Sequence, residues 1–231
     1  MIGKLYWRWI SWRFSAERLM EKCTRGMISA TVLQIGSNDG LSGDPLHKLV
    51  SQNPHWRAVF VEPIAGIFSR LRKNYGENPR FTFINAAVSE TCGMLTLYFI
   101  DIPELNRRKI MHPDWIDQLA TTDRSSLERC DAGRYKECIQ SIDVDCIDGP
   151  ELLRRAGSRN IDILHIDAEG HDWVILQTVL GAGVTPSIIL VEHACLDVEI
   201  KSRMEQLLRA HYRVRNLGRD FLCVAKSKAH F

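Results

Sequence analysis

The chain has 231 residues, 45% of them hydrophobic and 25% charged, an ordinary make-up for a folded domain that excludes a disordered polymer. Thirty basic and 28 acidic residues leave a net charge of +2, and with no Lys/Arg run or aromatic-basic motif no nucleic-acid partner is expected. No stretch reaches the roughly 20 apolar residues of a membrane span.

Lys4, Arg8 and Arg13 stand where a signal peptide would carry its apolar core. Seven scattered cysteines form neither CxxC nor a zinc spacing. Both features predict a cytoplasmic protein with reduced thiols.

Residues 1–27 hold three of the six tryptophans among six Lys/Arg and two Glu. Ile2, Leu5, Trp9, Trp12, Ala16, Leu19 and Cys23 recur at helical spacing. This predicts an amphipathic helix that packs on the domain or on a second subunit, so a homo-oligomer is left open. Contact with a membrane surface is the alternative and is not favoured.

Residues 28–231 read as one α/β domain. The apolar run Thr31 to Ile35 meets Gly36-Ser37-Asn38-Asp39-Gly40, and a helix is expected to open at Asp44-Pro45. Ala58 to Val61 ends at Glu62-Pro63; the next helix carries Ile64, Ile67, Phe68, Leu71 and Tyr75 on one face, with Gly76 as its cap. Phe81 to Ile84 stops at Asn85-Ala86-Ala87, and Leu95 to Ile100 reads as an added strand. The pattern weakens over about 103–136, which is read as a lid or insertion.

Ile139 to Val144 is strand-like, and Asp148-Gly149-Pro150 opens a helix with Leu152, Leu153 and Ala156 inward. Ile161 to Ile166 ends at Asp167, before a helix marked by Trp173, Leu176, Val179 and Leu180. Ser187 to Val191 ends at Glu192-His193, and the helix from Asp197 to His211 is expected to bury Ile200, Met204, Leu207 and Leu208. Arg213 to Leu217 and Phe221 to Ala225 are linked by three residues, which fits an antiparallel hairpin and no parallel crossover. Five β/α repeats closed by such a hairpin predict a Rossmann-like fold, a mostly parallel seven-stranded sheet similar to that of class I methyltransferases.

In open α/β sheets ligands bind at the carboxyl ends of the strands, near the reversal of strand order. The Gly36–Gly40 turn lies there and admits close backbone approach. It lacks the third glycine of GxGxxG, and Asp39 would oppose a pyrophosphate, so a cationic ligand fits better than a dinucleotide. Glu62 falls about twenty residues after the glycines, where a carboxylate accepts both hydroxyls of a ribose; capping the helix at Pro63 is the alternative. Asn85 and Ala86 are placed to border an adenine, or form a plain turn.

Asp167, Glu169 and His171 follow one strand, and Glu192 and His193 the next. Carboxylates seldom sit unpaired beside a buried sheet, so packing alone explains them poorly. Transfer to a hydroxyl needs alignment and a proton acceptor. His193 and Asp167 are the candidates, with His193 favoured near neutral pH. His165, inside the strand, reads as a core residue. No spacing demands a metal, and none is assigned.

These blocks resemble the FkbM-type methyltransferases. The resemblance rests on VLQIGSNDG (Val32 to Gly40), VEP (Val61 to Pro63), INAAVSETCG (Ile84 to Gly93), SSL (Ser125 to Leu127), VDCID (Val144 to Asp148), LHIDAEGHDWVIL (Leu164 to Leu176) and VEH (Val191 to His193), in the family's order. IDAEGHD is the most specific block. The resemblance implies S-adenosyl-L-methionine as cofactor and largely O-methylating activity. It further implies that Gly36, Ser37, Asn38, Asp39 and Gly40 wrap the methionine part, that Glu62 holds the ribose, and that Asp167 and Glu169 line the transfer site. Many family members place an acid where this chain has Gln34; Asp39 is the substitute considered.

The reading is therefore an S-adenosylmethionine-dependent methyltransferase acting on a small-molecule or carbohydrate hydroxyl, with specificity expected in the lid. A nicotinamide-dependent oxidoreductase is the alternative, disfavoured by the missing glycine and the terminal hairpin. A non-catalytic interaction module has only Gln34 in its support.

Overall fold

The computed structural model describes residues 16–226, apart from the side chains of residues 114, 115, 131 and 132. Strands β1 (Thr31–Ile35), β2 (Arg57–Val61) and β3 (Phe81–Ile84) form from the first three apolar runs. Their connections include helices α2 (His47–Gln52) and α3 (Ala65–Tyr75). An earlier helix, α1, spans residues 16–23.

After β3 the chain leaves this sheet and builds β4 (Ala87–Val88), β5 (Gly93–Ile100), α4 (Ile102–Arg107), β6 (Ala120–Thr121), α5 (Arg124–Arg129) and β7 (Ile139–Ile147). It returns through α6 (Gly149–Ala156) to β8 (Ile163–Ile166), α7 (Asp172–Gly181), β9 (Ile188–Glu192), α8 (Val198–His211) and the hairpin β10 (Tyr212–Asn216) with β11 (Asp220–Ala225).

The main sheet runs β10-β11-β9-β8-β1-β2-β3. Five strands are parallel, and β11 pairs antiparallel with both β9 and β10. This is the mostly parallel seven-stranded sheet with a terminal hairpin that the repeats predict. Its central strands are buried along their length because helices cover both faces. One face carries Leu33, Ile166, Val191 and Leu176; the other carries Val32, Phe60, Leu190 and Trp56.

Helix α1 buries Ala16 and places Met20 in the second of these clusters, while Glu17 and Glu21 face outward to Lys48. The rest of the expected amphipathic helix, with Ile2, Leu5, Trp9 and Trp12, lies outside the described residues. Among the described residues no helix is long and apolar enough to cross a membrane.

Three expectations are corrected. Helix α2 starts at His47 rather than at Asp44-Pro45, because Asp44 turns inward and accepts from the Leu46 N–H (2.8 Å) and the Tyr75 hydroxyl (3.2 Å). The run from Ile139 continues to Ile147 and pairs with β5 along eight residues, giving a separate sheet of order β4-β7-β5-β6. The segment of about 103–136, read as a lid or insertion, packs on this sheet around Ile100, Leu105, Ile116, Leu127 and Tyr135. In α8, Met204 and Leu208 are buried, but Leu207 stands 37% exposed, about 100° around the helix from Leu208.

Candidate active site

The site lies where the strand order reverses, between β1 and β8. Gly36 leaves β1 at φ +76, and a Cβ there would lie 1.8 Å from the Asp167 carbonyl oxygen. Only glycine lets the two strand-end loops approach this closely. The turn is tied to β2: the Gly36 and Ser37 N–H groups both donate to the Val61 carbonyl at 3.0 Å, and Ser37 Oγ donates to Gln34 O and accepts from Val61 N.

Asn38 follows at φ +47, one of three described non-glycine residues in the left-handed region; Glu169 is another. Both line the same cleft, which is open to solvent at its mouth. Strained backbone of this kind persists where its surroundings over-determine it.

Glu62 is buried at the end of β2, its two oxygens accepting from the Asn38 and Ile64 N–H groups at 3.0 Å. Burial pushes its carboxyl up to about 7, against those two donors. Beneath the Gly36 turn, Gln34 is 1% exposed and donates its amide to Asp44, which leaves Gln34 Oε1 with no partner. Burial raises the Asp44 carboxyl despite its donors from Leu46, Gln34 and Tyr75.

The opposite side is acidic. Asp167 leaves β8, and Asp172 holds the following loop by accepting from Ala168 N and Gly170 N, each at 2.9 Å. Glu169 Oε2 accepts from the Cys195 thiol at 3.2 Å. Glu192, 1% exposed, ion-pairs through Oε1 with Arg219 from the β10–β11 turn; its Oε2 finds no donor, and its side chain meets the Asp167 carboxyl. Burial raises all four carboxyls: Glu169 and Asp172 to about 7 with the Asp167 charge adding to the effect, and Glu192 well above its ordinary value beside Glu169 and Asp167. Arg219 works the other way on Asp167, Glu169 and Glu192.

Of the residues singled out in the sequence, Gly36, Ser37, Asn38, Glu62, Pro63, Ala86, Asp167 and Glu169 line the cleft. Asp39, Gly40, Asn85 and His193 do not. Asp39 accepts from Leu41 N, Ser42 N and Ser42 Oγ within its own exposed turn. Gly40 makes room for Leu71 and Tyr75, and exposed Asn85 braces the β2 end by donating to the Glu62 and Pro63 carbonyls. The His193 ring packs on Phe221 at 4.1 Å with Nε2 3.3 Å from Asn216 Oδ1.

Residues to which the sequence reading gave no site role also line the cleft: Gln34, Asp44, His165, His171, Arg219, and Leu95 and Leu97 of β5. His171 Nε2 lies 3.0 Å from Ser89 Oγ. Asp44 stood out in sequence only as a helix cap, and Arg219 only as part of a hairpin turn.

No curated protein matches the sequence significantly. Solved structures that resemble the fold include a Methanococcus jannaschii fibrillarin pre-rRNA processing protein, at 10% identity and TM-score 0.46 over 86% of this chain and 67% of that one. Human methyltransferase-like protein 13, in complex with SAH, shares 12% identity at TM-score 0.46 over 88% of this chain and 75% of that one. A class I S-adenosylmethionine-dependent methyltransferase from Listeria monocytogenes, described as such provisionally, shares 8% at TM-score 0.41 over 95% and 60%. The Methyltransferase FkbM domain model matches residues 34–218, from near the end of β1 to the start of the β10–β11 turn. That span takes in every strand end around the cleft, and with it the chain belongs to the FkbM family of S-adenosyl-L-methionine-dependent methyltransferases.

Proposed function

We propose that the chain methylates a hydroxyl oxygen of a small-molecule or carbohydrate acceptor. The cofactor's functional groups find matching partners along the cleft. Glu62 has lone pairs beyond the two used by Asn38 N and Ile64 N and would hold the ribose hydroxyls. Gln34 Oε1 and the Asp44 carboxylate are acceptors, one of them without a donor, and would take the ammonium of the methionine part in place of Asp39. Ala86 and Pro63 offer small apolar surface for the base. When bound, the cofactor supplies a methyl group on a positively charged sulfonium, which the acidic side of the cleft favours electrostatically.

The observation that carries oxygen as the acceptor is the pairing of Asp167 and Glu169 on one loop at the cleft wall. Carboxylates only accept hydrogen bonds, and a hydroxyl brings its own donor while keeping a lone pair for the methyl. Asp167 is assigned as the group that receives the hydroxyl proton, rather than His193, which does not line the cleft. The β5 wall, with Leu95 and Leu97, is assigned to the acceptor's apolar face.

Transfer of labelled methyl to a panel of sugars, polyols and amines, followed by mass spectrometry of the products, tests the reading. Methyl ethers are the expected products. Asp167→Asn should lower turnover roughly 10²- to 10⁴-fold with little change in S-adenosylhomocysteine affinity, and His193→Gln should leave both near the parent values. Methylated amines alone would overturn the choice of oxygen. An unimpaired Asp167→Asn would overturn the base.

A further inference from the structure

Behind the Asp167 loop, one ligating atom from each of Glu169, Glu192 and Cys195 lies within 4.8 Å of the other two. Two further observations separate this group from an ordinary acidic cluster. Glu192, 1% exposed, has an oxygen without a hydrogen-bond partner among residues that themselves present carboxylates. The group also includes a thiol, which donates to Glu169 Oε2 at 3.2 Å.

We propose that Glu169, Glu192 and Cys195 form a binding site for a divalent transition-metal ion of the zinc type, at the wall of the cleft. The proposal goes beyond the methyl-transfer reading and does not require it. Arg219 pairs with one oxygen of Glu192, and its single charge also serves Glu169 and Asp167, while the other Glu192 oxygen has no donor. A carboxylate stripped of water needs a counter-charge or a proton, and here several share one guanidinium.

Mixed sulfur and oxygen donors suit zinc-like ions, whereas magnesium selects oxygen alone. Coordination would displace the Cys195 proton to solvent, freeing Glu169 Oε2 from the thiol it now accepts. Arg219, held on Glu192 Oε1, would orient that ligand from outside the coordination sphere. Cys195 is exposed, which provides the ion's route from solvent. Three protein ligands leave a coordination position for an oxygen donor, and Glu169 joins the site to the cleft wall.

Metal binding can be read without any acceptor or turnover. The full chain, stripped with chelator, would be dialysed separately against micromolar Zn²⁺, Co²⁺ and Mg²⁺ and its bound metal measured by mass spectrometry. The parent should retain about one Zn²⁺ or Co²⁺ per chain and no Mg²⁺, and its Co²⁺ form should show a thiolate-to-metal charge-transfer band. Cys195→Ser, a change at an exposed site, should remove that band and weaken retention at least tenfold. Glu192→Gln, which keeps the side chain's shape, should abolish retention.

Equal metal content in the parent and both variants would overturn the site, as would a charge-transfer band that survives Cys195→Ser. Retention of Mg²⁺ in preference to Zn²⁺ would overturn the ligand set. Failure of methyl transfer with metal bound would leave this proposal standing and count against the acceptor reading alone.

Discussion

Residues beneath the Gly36 turn make the most direct demands on the cofactor. If Gln34 and Asp44 take its ammonium, Asp44→Asn should weaken S-adenosylhomocysteine about 10- to 100-fold in calorimetry, the worth of one charged hydrogen bond, while Asp39→Asn should change it little. The reverse order would restore Asp39 to the role considered from sequence. The difference between these acids was not legible in sequence: both follow the glycines, and only the fold shows Asp39 closing its own exposed turn and Asp44 turned inward to Tyr75. The place of Glu62 at a strand end on the cleft wall was legible, because an apolar run that stops at an acid marks the strand's end. His165 is buried in its strand, as read, yet it also lines the cleft with its Nδ1 unpartnered, and burial lowers its imidazole to about 4. Its neutral form is favoured in the folded chain, so the stability it preserves is present above about pH 6.5 and is lost as pH falls through 6.5 toward 4, by roughly 1.4 kcal/mol per pH unit at most. Urea midpoints between pH 7 and 4 should fall less steeply for His165→Leu than for the parent.

At the level of elements, close approach decides more than propensity. Gly149 opens α6 where a Cβ would come within 2.6 Å of the Thr178 carbonyl of α7. Gly149→Ala should therefore lower stability by about 1–3 kcal/mol in denaturant unfolding, by pushing the two helices apart. The main-sheet strands were readable because continuous apolar runs of four to six residues are what a doubly covered parallel sheet requires. Of the second sheet, Leu95 to Ile100 and Ile139 to Val144 were readable as strands, but their pairing was not. Strand β7 alternates buried and exposed residues and pairs with β5 across a polar segment, so its partner is set by long-range pairing and not by any local pattern. For the same reason the segment of residues 103–136 read as a lid, although Leu105, Ile116, Leu127 and Tyr135 meet there in a common core.

For the whole molecule, the open sheet ends on β10, whose exposed side chains include Arg213 and Arg215. Charges on an edge strand discourage pairing with another chain. Replacing both arginines by valine should raise concentration-dependent self-association in light scattering, with the parent as reference. The hairpin that forms this edge was readable from its short link; the arginine it sends to Glu192 was not, since a turn residue carries no local sign of a distant partner. Across the centre of the sheet, β1 lies beside β8, and the Thr31 N–H donates to Asp162 across 131 residues of chain. Half the cleft, including Glu62 and the Gly36 turn, is made early in synthesis, while Asp167, Glu169 and Arg219 emerge late. The nascent chain must hold the first half as an unfinished sheet, exposed along β1, until β8 arrives to pair with it. Folding speed in this enzyme is therefore set by a search over long sequence distance, and the donor's site comes into being with the last strands, after the stage at which a ligand might have guided the first ones.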